Sequence, residues 1–479
     1  MKASLVAALV FGIGASSKPL ISRDDPSTQS WKDVKCDFGS LTDVSSDPAQ
    51  QWNDSQAAAA YDEMAKSWAK NGTKLPLSNY IANFFHARPE LNCQDLANPN
   101  CAVTVNCGQG DASNAPVNSP AGYVLINSMV SLHQHYEGMY EGMKNALNFM
   151  NGEIGTYTSN FATQLDQMKQ NKVAIDVTMM LYAVVSAGAF NSWLKNVPYF
   201  KNQNGNKLGA LKDTTNGFVM QGINTIKDSM SAVDDLKAQN TMSDFLSKTV
   251  QSWINSTAFA THQLFEDISV LGESIKNGQM LDPSANNNPM DLTELMQTAL
   301  YGYITPMAWK LAVPEVGAFI ATAEGINGKA GDCNSYDPKD TFKRDYYLDG
   351  AALKATHFCD GNDAYWLVNL KRSSQKILGC TTTCVDPEIH ALPGVETLDG
   401  NHWGGLKVED LGLSAIRGWQ RNGKKNGWEP VDVKTSDGVN EVVENGIHAI
   451  GVANLPVCSF KEAFKNGYQE IHTPNWPCS

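Results

Sequence analysis

Hydrophobic and polar positions follow a helical rhythm through the middle of the chain and lose it towards both ends. The longest pattern runs Met129, Leu132, Tyr136, Met139, Met143, Leu147, Met150, Ile154 and Tyr157, and Phe161, Leu165 and Met168 continue it. Spacings of three and four place these residues on one stripe of a helix. Unbroken from 129 to 168, that helix would be about 60 Å long. Gly138, Gly142, Gly152 and Gly155 lie inside it, and each weakens a helix by about 1 kcal/mol relative to Ala. A kink is expected near Asn151 and Gly152.

Residues 173–194 organise the rest. They carry a single charge, Asp176, with Lys169 and Lys172 before and Lys195, Lys201 and Lys207 after. As a helix this stretch would be about 33 Å long, close to a hydrocarbon layer. Thr178, Ser186, Gly188, Asn191 and Ser192 dilute it, which disfavours a constitutive span. The plain reading is the buried centre of a bundle. The sharper one is a helix hidden in the folded form and released into a membrane, with Met179, Leu181, Val184, Phe190 and Trp193 as the engaging residues. Helical patterns resume with Val219, Ile223, Ile226, Met230, Val233 and Leu236, then with Phe245, Val250, Trp253, Leu264, Ile268, Leu271 and Ile275. A last one, over 292–311, should kink or break at Pro306 and end by Pro314. Four or five long helices with short connections make a bundle.

The flanks differ. Between 30 and 107, Asp54 or Ser55 can cap a helix with Tyr61, Met64 and Trp68 on its buried face, and Gly72 ends it. A short helix after Ser78 carries Tyr80, Ile81, Phe84 and Phe85. Polar, turn-forming residues over 108–120 mark a boundary. After about Ala323 the helical period fades. Residues 365–370 and 448–452 read as strands and 410–420 as a helix. The expected fold is mainly α: a long-helix bundle with a central apolar helix over 119–314. A small disulfide-bonded helical region, 18–118, precedes it, and a disulfide-bonded α+β domain, 315–479, follows.

Compartment follows from composition. Met1-Lys2, an apolar run to Ile13 and small residues at 15–17 read as a secretory signal peptide over 1–17. Ten cysteines lie in two flanking groups: Cys36, Cys93, Cys101 and Cys107, then Cys333, Cys359, Cys380, Cys384, Cys458 and Cys478. In an oxidising compartment they read as two early bridges and three late ones. Only Cys380 and Cys384 are spaced tightly enough to suggest metal ligation, so no metal is expected. Asn53, Asn71 and Asn255 open acceptor sequons for N-linked glycan. A formal net charge of −13 argues against nucleic acid as a partner.

Catalytic signatures for zinc proteases, serine hydrolases, nucleotide loops and EF-hands are missing, and no cofactor is implied. His133, Glu137 and Glu141 share one helical face and could hold a divalent ion, although a polar bundle face explains them as well. In the last region, Asp360 and Asp363 beside Cys359, then Asp386, Glu388 and His390, then Asp399 and His402 could supply acid–base chemistry. If that region is an enzyme, His402, Asp399, Asp363 and His390 are the candidates. The run 417–428 interleaves cations with aromatics, and Trp419, Arg421, Lys424, Lys425 and Trp428 could grip an anionic or sugar surface. A helix end with inward-packed indoles is the alternative.

The early cysteines Cys93, Cys101 and Cys107, the Pro120-Ala-Gly122 entry to a long helix and the cysteine-rich end together resemble secreted, uncharacterised proteins of filamentous fungi. The long helices around an apolar segment look like α-helical pore-forming toxins, a likeness of architecture alone. Together these readings give an extracellular or cell-surface protein without enzymatic activity, of effector or toxin type, engaging an unknown extracellular ligand or a membrane or glycan surface. The alternative is a secreted hydrolase with its site in the last region.

Overall fold

The computed structural model describes residues 30–479 apart from 38–39, 41–46, 72–73, 89, 98, 102–104, 109–115, 118, 162–174, 202–206, 231–241, 286–287, 313–315, 339–347, 349, 376–383 and 469–473. The leader expected over 1–17, the pattern positions Leu165, Met168, Val233 and Leu236, and Cys380 lie outside the described residues.

The protein is mainly helical. The early helices are α1 (Pro48–Asp54), α2 (Ala57–Asn71) and α3 (Leu77–Phe84). Asp47 caps α1 through the Ala49 N–H, and Met64 on α2 is fully buried, as its spacing implies. A parallel pair, β1 (Asn106–Cys107) and β2 (Pro116–Val117), leads into the long helix α4 (Pro120–Phe161). Ser119 Oγ accepts the Gly122 N–H at its start.

The helix runs unbroken through Asn151 and Gly152, contrary to the expected kink. Packing explains this, because Met150 and Tyr157 on either side are fully buried. Two other glycines in it serve close approach. The Met290 N–H donates to the Gly138 carbonyl at 2.9 Å, and a Cβ on Gly142 would overlap the Met290 carbonyl oxygen.

Next come α5 (Ile175–Leu194), α6 (Pro198–Lys201), α7 (Lys207–Met230), α8 (Met242–Leu264), α9 (Ile268–Ile275) and α10 (Thr293–Ala312). Helix α4 packs on α8 and α10, and α5 packs on α7 and α10. The pattern expected to be continuous from 245 to 275 divides into α8 and α9. Asp267 opens the second helix by accepting the N–H groups of Ser269 and Val270. Helix α10 continues through Pro306, held on both sides by the buried Ile304, Thr305, Ala308 and Trp309.

The last region is α+β. Its sheet holds β3 (Val316–Thr322), β4 (His357–Asp360), β5 (Asp363–Gln375), β6 (Cys384–His390) and β7 (Val457–Ser459), with helix α11 (Gly350–Thr356) before β4. Strand β5 pairs antiparallel with β3 on one edge and with β4 and then β6 on the other, and β7 joins β3 in parallel. Helices α12 (Val408–Arg421), α13 (Ser436–Asn445) and α14 (Phe460–Tyr468) complete it. The strand expected over 448–452 does not form. Gly446 and Gly451 take φ of 54° and 102°, and a helical turn, Gly446–His448, stands there instead.

One hydrophobic core runs from Trp31 through the bundle to Val457, and a smaller one lies between β5 and α14. Within the larger core, aromatic rings join the bundle to the last region. Tyr157 stacks on Tyr301 with centroids 4.4 Å apart, and Trp403 meets both rings edge-on. Four bridges are described: Cys36–Cys107, Cys93–Cys101, Cys333–Cys359 and Cys458–Cys478. Each stays within its own flank.

Candidate functional site

Helix α12 has an apolar face, Leu411, Ala415 and Ile416, buried against the core. The face that remains brings Trp419 to the surface at its last turn. Beyond it the backbone reverses through Lys424 at φ 60°, with Gly423 and Gly427 also in the left-handed region. Asn426 anchors this turn to the sheet: its Oδ1 accepts the Val457 N–H at 2.8 Å and its Nδ2 donates to the Val457 carbonyl at 3.1 Å. The turn therefore sits against the end of β7.

Strands β3 and β7 run parallel, with Thr322 opposite Ser459. Both strands finish at the same end of the sheet, which carries Glu324 and Glu462 to the turn. The result is a cleft of about 460 Å³ lined by Trp419, Lys424, Lys425, Glu324, Glu462 and Asn475, among others. The Lys424 ammonium lies 5.6 Å from the Trp419 ring centre, a cation–π contact. Glu462 Oε1 accepts the Ser479 N–H at 2.9 Å.

Of the five surface-binding candidates, Trp419, Lys424 and Lys425 meet in this cleft. Arg421 braces the turn by donating to the Glu429 carbonyl at 2.9 Å. Trp428 is buried against Gly418, where a Cβ would strike its indole. Sequence reasoning missed Glu324, Glu462 and Asn475. Nothing in their spacing links them to the turn: the pairing of β3 with β7 places Glu324 and Glu462, and the Cys458–Cys478 bridge ties the segment of Asn475 to β7.

Of the four acid–base candidates, Asp399 and His402 meet, while His390 and Asp363 have other neighbours. His402 Nδ1 lies 3.1 Å from Asp399 Oδ1 in an exposed turn. The Asn401 N–H and then the His402 ring hold the Asp399 carboxyl down to about 2. This turn has a packing role: it presents Trp403 to the bundle, with Trp403 Nε1 donating to Thr397 Oγ1 at 2.8 Å. His390 pairs with Glu388 on β6 at 2.9 Å, and Asp363 stands in the β4–β5 hairpin opposite Asp360.

His133 and Glu137 are buried, not solvent-facing. His133 Nδ1 bonds the Cys93 carbonyl at 2.8 Å, its Nε2 lies 3.6 Å from Glu137, and Glu141 turns to Lys144. Among the described residues, only Cys333, His357 and Cys359 cluster as three metal-type donors. Their two sulfurs are joined in a bridge, so they are not available thiolates.

A second cleft, of about 250 Å³, is lined by Ser131, Gln134, His135, Trp193, Asp282 and Asn288 among others. Of the membrane candidates, Met179, Leu181, Val184 and Phe190 are buried and Trp193 is partly so. Among the described residues, one helix, α5, is long and apolar enough to cross a membrane, and 72% of it over Asp176–Leu194 is inside the protein. No likeness to pore-forming toxins is shown.

No described protein family matches the chain. It is similar to two fungal proteins of Penicillium expansum. One, named "Probable chitinase LysM18", is 22% identical over 91% of this chain and 32% of its own length. The other, named "Secreted chitinase LysM12", is 21% identical over 90% of this chain and 31% of its own length. The chain thus spans about a third of the curated relatives it matches. No solved structure matches. The likeness to fungal secreted proteins and the bridged cysteines are consistent with an extracellular location.

Proposed function

We propose that this is an extracellular glycan-binding protein whose cleft at Trp419 receives N-acetylated sugars. One observation carries the reading. Trp419, Glu324, Lys425 and Asn475 line one concave surface. Such a surface suits a sugar, whose C–H face packs on an aromatic ring while its hydroxyl and amide groups bond polar side chains. The N-acetylated class follows from the two relatives being named as chitinases. The leader at 1–17 and the three sequons support secretion and glycosylation.

The second reading is a hydrolase. Glu324 and Glu462 line the same cleft, and glycoside hydrolysis commonly uses two carboxyl groups. Against it, Glu462 is already engaged by Ser479.

The test is sedimentation of the purified protein with insoluble chitin, with cellulose and an anionic polysaccharide alongside. Binding to chitin that Trp419→Ala weakens supports the reading. Soluble reducing sugar released by the wild type and lost in Glu462→Gln would favour the hydrolase. Failure to bind any of the three would reject glycan recognition.

A further inference from the structure

Two of the three sequons share an unusual geometry. Asn53 is exposed near the end of α1, but Ser55 of the same sequon is fully buried and its Oγ donates to the Trp52 carbonyl at 3.1 Å. Asn255 is exposed in the middle of α8, but Thr257 is fully buried. Thr257 Oγ1 lies 3.4 Å from the Tyr182 hydroxyl and 3.9 Å from Met143 Sδ. Residues two apart in a helix project about 200° from one another. In each sequon the amide therefore faces solvent and the hydroxyl faces the core.

Phe259 lies four residues beyond Asn255 on the same helical face and is 47% exposed. It is one of few large apolar side chains left open among the described residues.

We infer that Asn53 and Asn255 receive N-linked glycan before their helices pack, and that the Asn255 glycan lies across Phe259. The inference rests on the extracellular reading above. In the transfer, the Asn Nδ2 attacks C1 of a lipid-linked oligosaccharide diphosphate. The new C1–N bond replaces the C1–O bond, the lipid diphosphate leaves with the electron pair, and the amide nitrogen loses one proton. A transferase that must reach amide and hydroxyl together cannot do so once Ser55 and Thr257 are buried. The finished glycan is compatible with the fold, because both asparagines point outward.

The test has two arms. In the first, the full chain is made without glycan, and a folded sample and a reduced, carboxymethylated sample are each given an oligosaccharyl transferase and the lipid-linked donor. Peptide mapping should show transfer to Asn53 and Asn255 at least about tenfold faster in the unfolded chain, since the folded one must first open locally. Equal rates would overturn the proposal. In the second arm, the chain secreted by a eukaryotic host is mapped. Glycan at Asn53 and Asn255 supports the proposal, and empty sites in secreted protein overturn it. A chain that is not secreted defeats the extracellular reading instead, and the first arm still decides.

For Phe259, enzymatic removal of glycan from the folded protein should raise binding of a hydrophobic dye, and the rise should vanish in Phe259→Ser. An equal rise in Phe259→Ser would remove Phe259 from the proposal. Asn255→Gln should abolish the response without disturbing the buried Thr257.

Discussion

The imidazole of His135 on α4 lies flat on the indole of Trp193 on α5, with ring centroids 3.8 Å apart and planes 12° apart. Among the described residues, neither ring nitrogen of His135 has a hydrogen-bond partner. Burial holds the imidazole neutral and lowers its pKa from 6.5 to about 3. The unfolded chain therefore binds a proton that the folded chain refuses. The contribution of this group to stability should be constant above pH 6.5 and fall as pH drops from there towards 3. The loss attributable to this group is on the order of 2–3 kcal/mol by pH 4.5. Urea unfolding at pH 7 and pH 4.5 checks it. His135→Phe, which keeps the stack, should lose less stability on acidification than the wild type, and an unchanged loss would show that other groups set the acid limb.

Gly142→Ala should destabilise the protein although Ala is the better helix former by about 1 kcal/mol. The added Cβ would overlap the Met290 carbonyl oxygen, and relieving that overlap shifts backbone at a cost of about 1–3 kcal/mol. A lower midpoint of thermal unfolding is expected. A higher one would mean that the 288–292 segment moves aside freely.

Val184→Asp places a carboxylate at a position that is 2% exposed, inside the bundle. An unpaired buried charge costs several kcal/mol, comparable with the roughly 5–15 kcal/mol of a whole domain. The variant should fail to be secreted or unfold well below the wild type. The folded wild type should leave anionic vesicles intact at neutral pH, since most of α5 is inside the protein. Leakage from those vesicles would show that α5 can leave the core.

Changing Lys424 and Lys425 together to Ala should separate charge from ring in the Trp419 cleft. For a neutral glycan the loss of binding should be modest and nearly independent of salt. For an anionic surface it should be largest at low salt, where exposed charges are least screened. Retained sedimentation with chitin across salt concentrations is the expected result.

Much of the helical architecture is present in residue spacing. Met129 to Tyr157 marked α4 because a three-to-four residue period has one structural meaning. The apolar run at 173–194 marked a helix with no polar face, and burial against α7 and α10 is how the fold accommodates it. Spacing did not show where helices would bend. The glycines near 152 and Pro306 are local signals, and both were overruled by the buried residues on either side. Gly446 and Gly451 worked in the other direction, turning an apolar run at 448–452 away from a sheet.

The sequence by itself determined the helix-rich class, the grouping of cysteines and the aromatic and basic turn at 417–428, because each is a property of neighbouring residues. Only the tertiary structure decided what those features serve. Asp399 and His402 resembled an acid–base pair in the sequence, and folding makes their turn the mount for Trp403 in the bundle. His133, Glu137 and Glu141 resembled a ligand set on one helical face, and folding buries Glu137 and ties His133 to the Cys93 carbonyl while Glu141 pairs with Lys144. Trp419 and Trp428 are equivalent in composition, but one lines a cleft and the other fills the core. Glu324 and Glu462 reach that cleft through the parallel pairing of β3 with β7. Contacts between residues more than a hundred positions apart are set by how strands and helices pack, and linear spacing does not encode them.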